Sequence, residues 1–429
     1  MRTLGRVVVL IAVAAPIAGA QARRPSVRFE PIGRIAAAPR VVAVGDVHGA
    51  FDRFVEILQA VGLIDASRRW TGGNATLVQT GDVTDRGPQV RESMDLLMAL
   101  EAQAASVGGR VIAILGNHEV MNLVGDRHDV SPAAYASFAD EQSETRREQA
   151  YEAYAELSRS RRNGGAPVPA VYQLPDKDAW MKAHPPGFLE YVEAFGPEGP
   201  YGRWLRTRQT VVQVGDTIFL HGGISPRIAA EKPDDLSRQV QRELRTFDDY
   251  RRHMIARKLI LPWFGVEQII QAAELEERVI AGAATLTALE RPPLLSPIDE
   301  RHLSVVRGLQ ALGTMSLFQE DGPLWFRGYA MWDPEEGAAE AARILERQRA
   351  KRIVVGHTIP STMRITPRFG RSVFLIDTGM LATSYTGGRA SALEIEGDRV
   401  TARYVDSSIQ LDPPQTAARG QWVSGMFGR

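Results

Sequence analysis

Val41-Val42-Ala43-Val44-Gly45-Asp46-Val47-His48-Gly49 is the stretch from which the rest of the chain is read. Four apolar, mostly β-branched residues stop at a glycine, the mark of a short buried strand. The two glycines suit a sharp turn beyond the strand end. Asp46 and His48 stand two residues apart, and in a turning backbone their carboxylate and imidazole can face one point. Such O and N donors suit a borderline divalent metal. A turn with a capping Asp and a hydrogen-bonded His gives the same local pattern, so the weight falls on recurrence.

The device recurs. Thr76 to Gln79 reads as a second strand and runs into Gly81-Asp82-Val83-Thr84-Asp85-Arg86-Gly87. Val111 to Leu115 reads as a third and runs into Gly116-Asn117-His118-Glu119. Between them, Phe51, Phe54, Val55 and Leu58 share one helical face, as do Val90, Met94, Leu97 and Met98 after Pro88. Strands separated by helices predict an α/β arrangement with parallel pairing and a site beyond the carboxyl ends of the strands. Val211 to Val214 and Thr217 to Leu220 read as a hairpin through Gly215-Asp216, ending in His221-Gly222-Gly223. Ile353 to Val355 ends in Gly356-His357-Thr358, and Val373 to Ile376 ends in Asp377-Thr378-Gly379. Leu393 to Ile395 and Val400 to Val405 form a closing hairpin. The donors at these strand ends are Asp, His and Asn, with no sulfur. That set suits Zn, Fe or Mn, and it exceeds the needs of one tetrahedral ion, which favours two.

Composition narrows the classes. The chain has 429 residues, and its basic and acidic residues balance at 51 each, so no global basic field argues for nucleic acid. It has no cysteine, which excludes thiolate catalysis, disulfides and Cys-based zinc sites. Arg2 and Arg6 precede the apolar run Val7 to Ala18 and small residues around Ala20, the pattern of a signal peptide over residues 1–22. This predicts export to the periplasm or medium and no stable membrane span after cleavage; an uncleaved anchor is the alternative. Residues 23–39 read as a linker or first edge segment. Residues 122–200 are expected to be an insertion or cap, largely helical and without a second core, and residues 409–429 a loose tail. A catalytic domain over 23–408 is the resulting expectation. His128, His184, His253 and His302 lie outside any motif and read as structural or surface residues.

GDVHG, GDVTDRG, GNHE, HGG and the late GHT together resemble the metal-dependent phosphoprotein phosphatases of the calcineurin-like metallophosphoesterase superfamily. The signal segment, DGPLWFRGY, VVGHT and DTGM add a resemblance to the bacterial Shewanella-like protein phosphatases. The resemblance spans residues 41–379. It implies a four-layer α/β/β/α sandwich and two metal ions (Mn, Fe or Zn). It also implies ligand roles for Asp46 and His48 at one metal, a shared Asp82, and Asn117, His221 and His357 at the other. His357 rests on its strand-end position, because its motif departs from that of the eukaryotic serine/threonine enzymes. Two cations activate water for in-line attack on phosphorus. Arg86 is the first candidate to clamp phosphate. Arg327 is the second, or else an arginine packed on Trp325 or Phe326. His118 is expected to protonate the leaving oxygen, with Asp85 orienting its ring or else capping the next helix. Asp377 is expected to brace the loop. The expected function is an exported phosphomonoesterase acting on a phosphoprotein or phosphopeptide. The alternatives are a small-molecule phosphatase or dinucleoside polyphosphate hydrolase, and a metal-binding protein without turnover.

Overall fold

Successive side chains of a strand point to opposite faces, and here each face has its own apolar cluster. Val41 and Ala43 enter one cluster while Val42 and Val44 enter another. Phe219 and Val354 join the first cluster, whereas Ile218, Leu220, Ile353 and Val355 enter a third. The computed structural model describes residues 32–162, 169–284 and 300–411, and in it these clusters separate four layers.

Two six-stranded mixed sheets form the inner layers. In one, Val41–Val44, Thr76–Gln79 and Arg110–Ala113 are parallel neighbours. Ser391–Glu396 continues that sheet antiparallel beside Val41–Val44, followed by Arg399–Tyr404 and Ser408–Gln410. In the other, Thr217–Leu220, Arg352–Val355 and Val373–Leu375 are parallel neighbours. Val211–Val214 pairs antiparallel with Thr217–Leu220 through the Gly215-Asp216 turn. Both predicted hairpins are therefore present. Arg34–Ile35 pairs at the edge of this second sheet, which places an edge segment at the end of the 23–39 stretch. Helices cover both outer faces. Phe51–Ala60 buries Phe51, Phe54, Ile57 and Leu58, each worth about 1.5–3 kcal/mol of burial. Pro334–Gln348 buries Ala341, Ile344 and Leu345 on the far side. The four-layer α/β/β/α sandwich is the observed architecture.

Three expectations need correction. The third strand is Arg110–Ala113 rather than 111–115; Ile114 makes only an isolated bridge to Gln209. The tail does not loosen at 409, because Ser408–Gln410 pairs with Arg399–Tyr404 and Leu411 is buried. The 122–200 segment is helical as predicted, but it carries more core than its composition promised. Tyr135, Phe138, Tyr191 and Phe195, joined by Tyr201 just beyond the segment, form one aromatic group continuous with the main cluster, with Tyr191 and Phe195 stacked at 4.5 Å. Its apolar residues recur at helical spacing among charges, so they never form a run. The signal segment and residues 412–429 lie outside the described residues. No helix among the described residues is long and apolar enough to cross a membrane.

The parallel strands of both sheets deliver their carboxyl ends to one edge of the sandwich. The loops beyond them are pinned by Glu119, fully buried one turn into the Asn117–Val124 helix. Its carboxylate accepts from the backbone N–H groups of Asp82 (2.7 Å), Val83 (2.8 Å), Thr84 (3.1 Å) and Gly116 (2.8 Å) and from the Thr84 hydroxyl (3.0 Å). Every partner is a donor. Glu119→Gln would turn an amide N–H₂ toward donors and leave buried groups unpaired. Urea unfolding should show a loss of about 1–3 kcal/mol. A variant with an unchanged midpoint would contradict this role for Glu119.

Candidate metal centre

Three histidines at the strand ends are held alike. His48 Nδ1 donates to Thr84 O at 2.9 Å, His221 Nδ1 to Thr80 O at 2.9 Å, and His357 Nε2 to Trp325 O at 3.2 Å. A carbonyl only accepts, so those nitrogens carry the protons and the opposite nitrogens are bare. The bare His221 Nε2 lies 3.1 Å from the bare His357 Nδ1 and 2.8 Å from Asn117 Oδ1. Lone pairs converging in this way fit a cation between them, and the outer carbonyl partners match the usual support of metal-bound histidines.

Asp82 lies at the centre. Its Oδ2 is 3.2 Å from His221 Nε2, 3.7 Å from His48 Nε2 and 3.8 Å from His118 Nε2. Two groups of clustered donor atoms share it: His48, Asp82 and His118, and Asp82, His221 and His357. Burial opposes its ionisation, yet its carboxyl is held well below the usual range, with the charged His118 beside it favouring the anion. Burial lowers His48 to about 3 and His357 to about 2, so both stay neutral, as ligands must. Asp46 falls outside the two groups but lines the same cleft, accepting from His357 N through both oxygens at 3.1 Å. A Cβ on Gly356 would overlap the Asp46 carboxylate, so this close approach requires glycine. Burial and the facing carboxyls of Asp377 and Asp82 raise the Asp46 carboxyl, and Asp377 itself is pushed up to about 6, first by burial. Two facing buried carboxyls cannot both ionise without a cation, which is a further sign that the donor set fits one. Asp377 also accepts from Gly379 N at 2.9 Å, the bracing contact expected of it.

The remaining predicted residues surround the same cleft, a cavity of about 150 Å³. His118 Nδ1 lies 2.7 Å from Asp85 Oδ2, so Asp85 orients the ring. Burial alone would lower the His118 pKa, but Asp82 and Asp85 overcome it and raise it to about 9. An imidazolium is a poor ligand and a ready proton donor. Arg86 places Nη1 3.0 Å from His48 Nε2 and Nη2 3.1 Å from His118 Nε2. Arg327 Nη1 donates to His357 O at 3.0 Å and to Thr358 Oγ1 at 3.1 Å, with its guanidinium on the cleft wall. His48, Asp82, Asp85, Arg86 and His357 all have φ between 45° and 69°. Each such left-handed residue costs about 1–2 kcal/mol, so five sites of backbone strain cluster here.

Sequence reasoning missed three contributors. Asp129 Oδ2 lies 3.5 Å from Arg86 Nη2 and 3.8 Å from His118 Nε2. The Tyr385 hydroxyl accepts from Arg86 Nη1. Asn122 donates to Asp85 Oδ1 at 2.7 Å. Asn122, four residues after His118, had the only readable signal, the helical spacing that aligns it with that ring. His128, read as surface, is exposed but borders the cleft. His184 stacks on Trp180, and His302 is buried 3.1 Å from Glu276, both structural as expected.

A profile for calcineurin-like phosphoesterases matches residues 39–264. The chain belongs to that family. It is 24% identical over 367 residues to the Shewanella-like protein phosphatase 1 of Plasmodium berghei, covering 85% of this chain and 73% of that protein. It is 33% identical over 189 residues to the Shewanella-like protein phosphatase 2 of Arabidopsis thaliana, covering 43% of this chain and 46% of that one. A symmetrical bis(5'-nucleosyl)-tetraphosphatase of Neisseria meningitidis shares 22% identity over 203 residues, 47% of this chain and 50% of that protein. The crystal structure of a cold-active protein-tyrosine phosphatase from a psychrophilic Shewanella superposes with a TM-score of 0.52 at 24% identity, over 90% of this chain and 83% of that one. It shares the fold.

The shared position of Asp82 generates a direct prediction. Asp82→Asn removes the charge that both donor groups use. Metal content after dialysis against Mn²⁺ should fall for the whole site. Full metal occupancy in a folded Asp82→Asn protein would refute the shared position.

Proposed function

We propose that the protein is an exported phosphomonoesterase that uses two divalent or trivalent metal ions (Mn, Fe or Zn) to dephosphorylate phosphoproteins. In this reading residues 1–22 are removed, 23–411 form the catalytic unit, and 122–200 cap it. The observation that carries the reading is the convergence in one cleft of the Asp82-centred donors, two guanidinium groups and a His118 ring held by Asp85. Bound metal ions would supply Lewis acidity and an activated water at neutral pH. Asp46, His48, Asp82, Asn117, His221 and His357 would hold them. The chain's own residues do the rest. Arg86, steadied by Tyr385 and Asp129, and Arg327, steadied by the His357 carbonyl, neutralise charge on the equatorial phosphate oxygens. His118 Nε2 faces the cleft and gives its proton to the leaving oxygen, while Asp85 holds the ring at Nδ1.

A small-molecule reading has one observation in its favour, the similarity to a dinucleoside tetraphosphatase. Phosphate release separates the two readings. A chain beginning at residue 23, assayed in Mn²⁺, should release phosphate from a phosphotyrosine or phosphoserine peptide, with activity abolished by chelator. Cleavage of a dinucleoside tetraphosphate alone would overturn the phosphoprotein reading. Bound metal with no turnover under any loading would favour a binding protein. Within the leading reading, His118→Asn should retain metal yet lose about 10²- to 10⁴-fold in kcat on an ester with a poor leaving group. Near-normal turnover there would remove His118 from the acid role.

A further inference from the structure

The hydrogen bonds behind His118 do not end at Asp85. Asn122 Nδ2 donates to Asp85 Oδ1 at 2.7 Å and to His118 O at 2.9 Å. An ionised carboxylate and a carbonyl both only accept, so the amide nitrogen must face them and Oδ1 must face away. There Oδ1 receives the Tyr191 hydroxyl at 2.8 Å. The direction of the whole chain is thereby fixed, from Tyr191 to Asn122 to Asp85, and Asp85 in turn accepts from His118. All four residues are buried, Tyr191 at 1% exposure. Burial, with Asp85 and Tyr135 nearby, pushes the Tyr191 phenol well above its ordinary value, so it keeps its proton to donate.

Tyr191 lies on the Phe188–Phe195 helix, outside both sheets and every motif of the sequence. Its ring is set by Tyr135 at 5.2 Å, Phe138 at 4.9 Å and Phe195 at 4.5 Å. The helix is tied down next door by Glu190, which accepts from Arg146 at 2.6 Å and Ser143 at 2.8 Å. Tyr191 therefore offers a hydroxyl at a fixed point to a side-chain network that terminates on the proposed acid.

We propose that Tyr191 and Asn122 are positioning residues for proton transfer by His118, an inference that rests on the reading of His118 as the acid. An Asp85 carboxylate bonded to His118 alone can rotate about its last torsion and carry the imidazole with it. Asn122 occupies the second carboxylate oxygen and removes that freedom, and Tyr191 holds the Asn122 amide in the required orientation. The helical 122–200 segment thus reaches the chemistry through a buried chain of hydrogen bonds.

Tyr191→Phe keeps the ring and deletes the donor. A proton donor matters for a poor leaving group and little for a good one, so the test compares phenyl phosphate with dinitrophenyl phosphate in the Mn²⁺-loaded protein. Tyr191→Phe should lose about tenfold in kcat on phenyl phosphate, with KM and the dinitrophenyl phosphate rate near wild type. Asn122→Ala should show the same selectivity and serves if Tyr191→Phe does not fold. In the metal-free protein, the downfield Nδ1–H proton resonance of His118 should broaden or vanish in both variants. Glu193→Gln, at an exposed position of the same helix and outside the chain, should change neither readout. Equal losses on both esters, or an unchanged His118 resonance, would overturn the proposal and leave Tyr191 a packing residue. His118→Asn run alongside separates the two ideas. If it shows no dependence on leaving group, the acid reading itself fails; if it does and the two variants do not, only the positioning proposal fails.

Discussion

One buried carboxylate sets the geometry on which the site depends. Glu119 collects four backbone N–H groups and a hydroxyl from two loops that follow two different strands. Those loops have no regular structure to satisfy their donors, and a buried unpaired N–H is costly. Meeting them with one carboxylate fixes Asp82, Val83 and Thr84 relative to Gly116, and with them the neighbouring Asn117 and His118. The same constraint tolerates the left-handed backbone at Asp82, because the bonds gathered by Glu119 offset a strain of about 1–2 kcal/mol.

The two sheets contribute unequal but complementary halves. The sheet containing Val41–Val44 brings Asp46, His48, Asp82, Asn117 and His118 to its carboxyl edge, and the sheet containing Thr217–Leu220 brings His221 and His357. Neither half alone converges lone pairs on Asp82. Their alignment is set by the apolar layer between them, where Val78, Ile112, Phe219, Val354 and Leu393 meet. Core packing and metal-site geometry are therefore one problem: a shift of the sheets would separate His221 from His48 across Asp82.

Much of this was legible from the sequence because the strands are short, apolar and stopped by glycine. Both hairpins fell where their two-residue turns placed them, and every predicted donor and arginine lies on or beside one cleft. Motif residues are readable because the chemistry restricts them to Asp, His, Asn or Arg at fixed offsets from a strand end. What stayed hidden is held by tertiary packing. Asp129 and Tyr385 reach Arg86 from segments with no periodic signal, 43 and 299 positions away in the chain. The aromatic core of 122–200 was underestimated because its rings are spread over several helices among charged residues and meet only after folding. The positive φ values at non-glycine residues are likewise invisible to propensity, since local sequence disfavours what the surrounding bonds enforce.

The histidines show how one site sustains different protonation states. His48, His221 and His357 lean on the backbone carbonyls of Thr84, Thr80 and Trp325, which carry no net charge. Burial then dominates for His48 and His357, and they remain neutral. His118 is as buried as its neighbours but leans on the carboxylate of Asp85, and with Asp82 close by its pKa rises to about 9. The type of partner, a neutral carbonyl or an anionic carboxylate, thus divides rings a few ångströms apart into those fit to hold a metal and one fit to give a proton. The cost of that division is a buried carboxylate that needs partners of its own. Asn122, on the helix that also carries Asn117, and Tyr191, on the Phe188–Phe195 helix, meet that need.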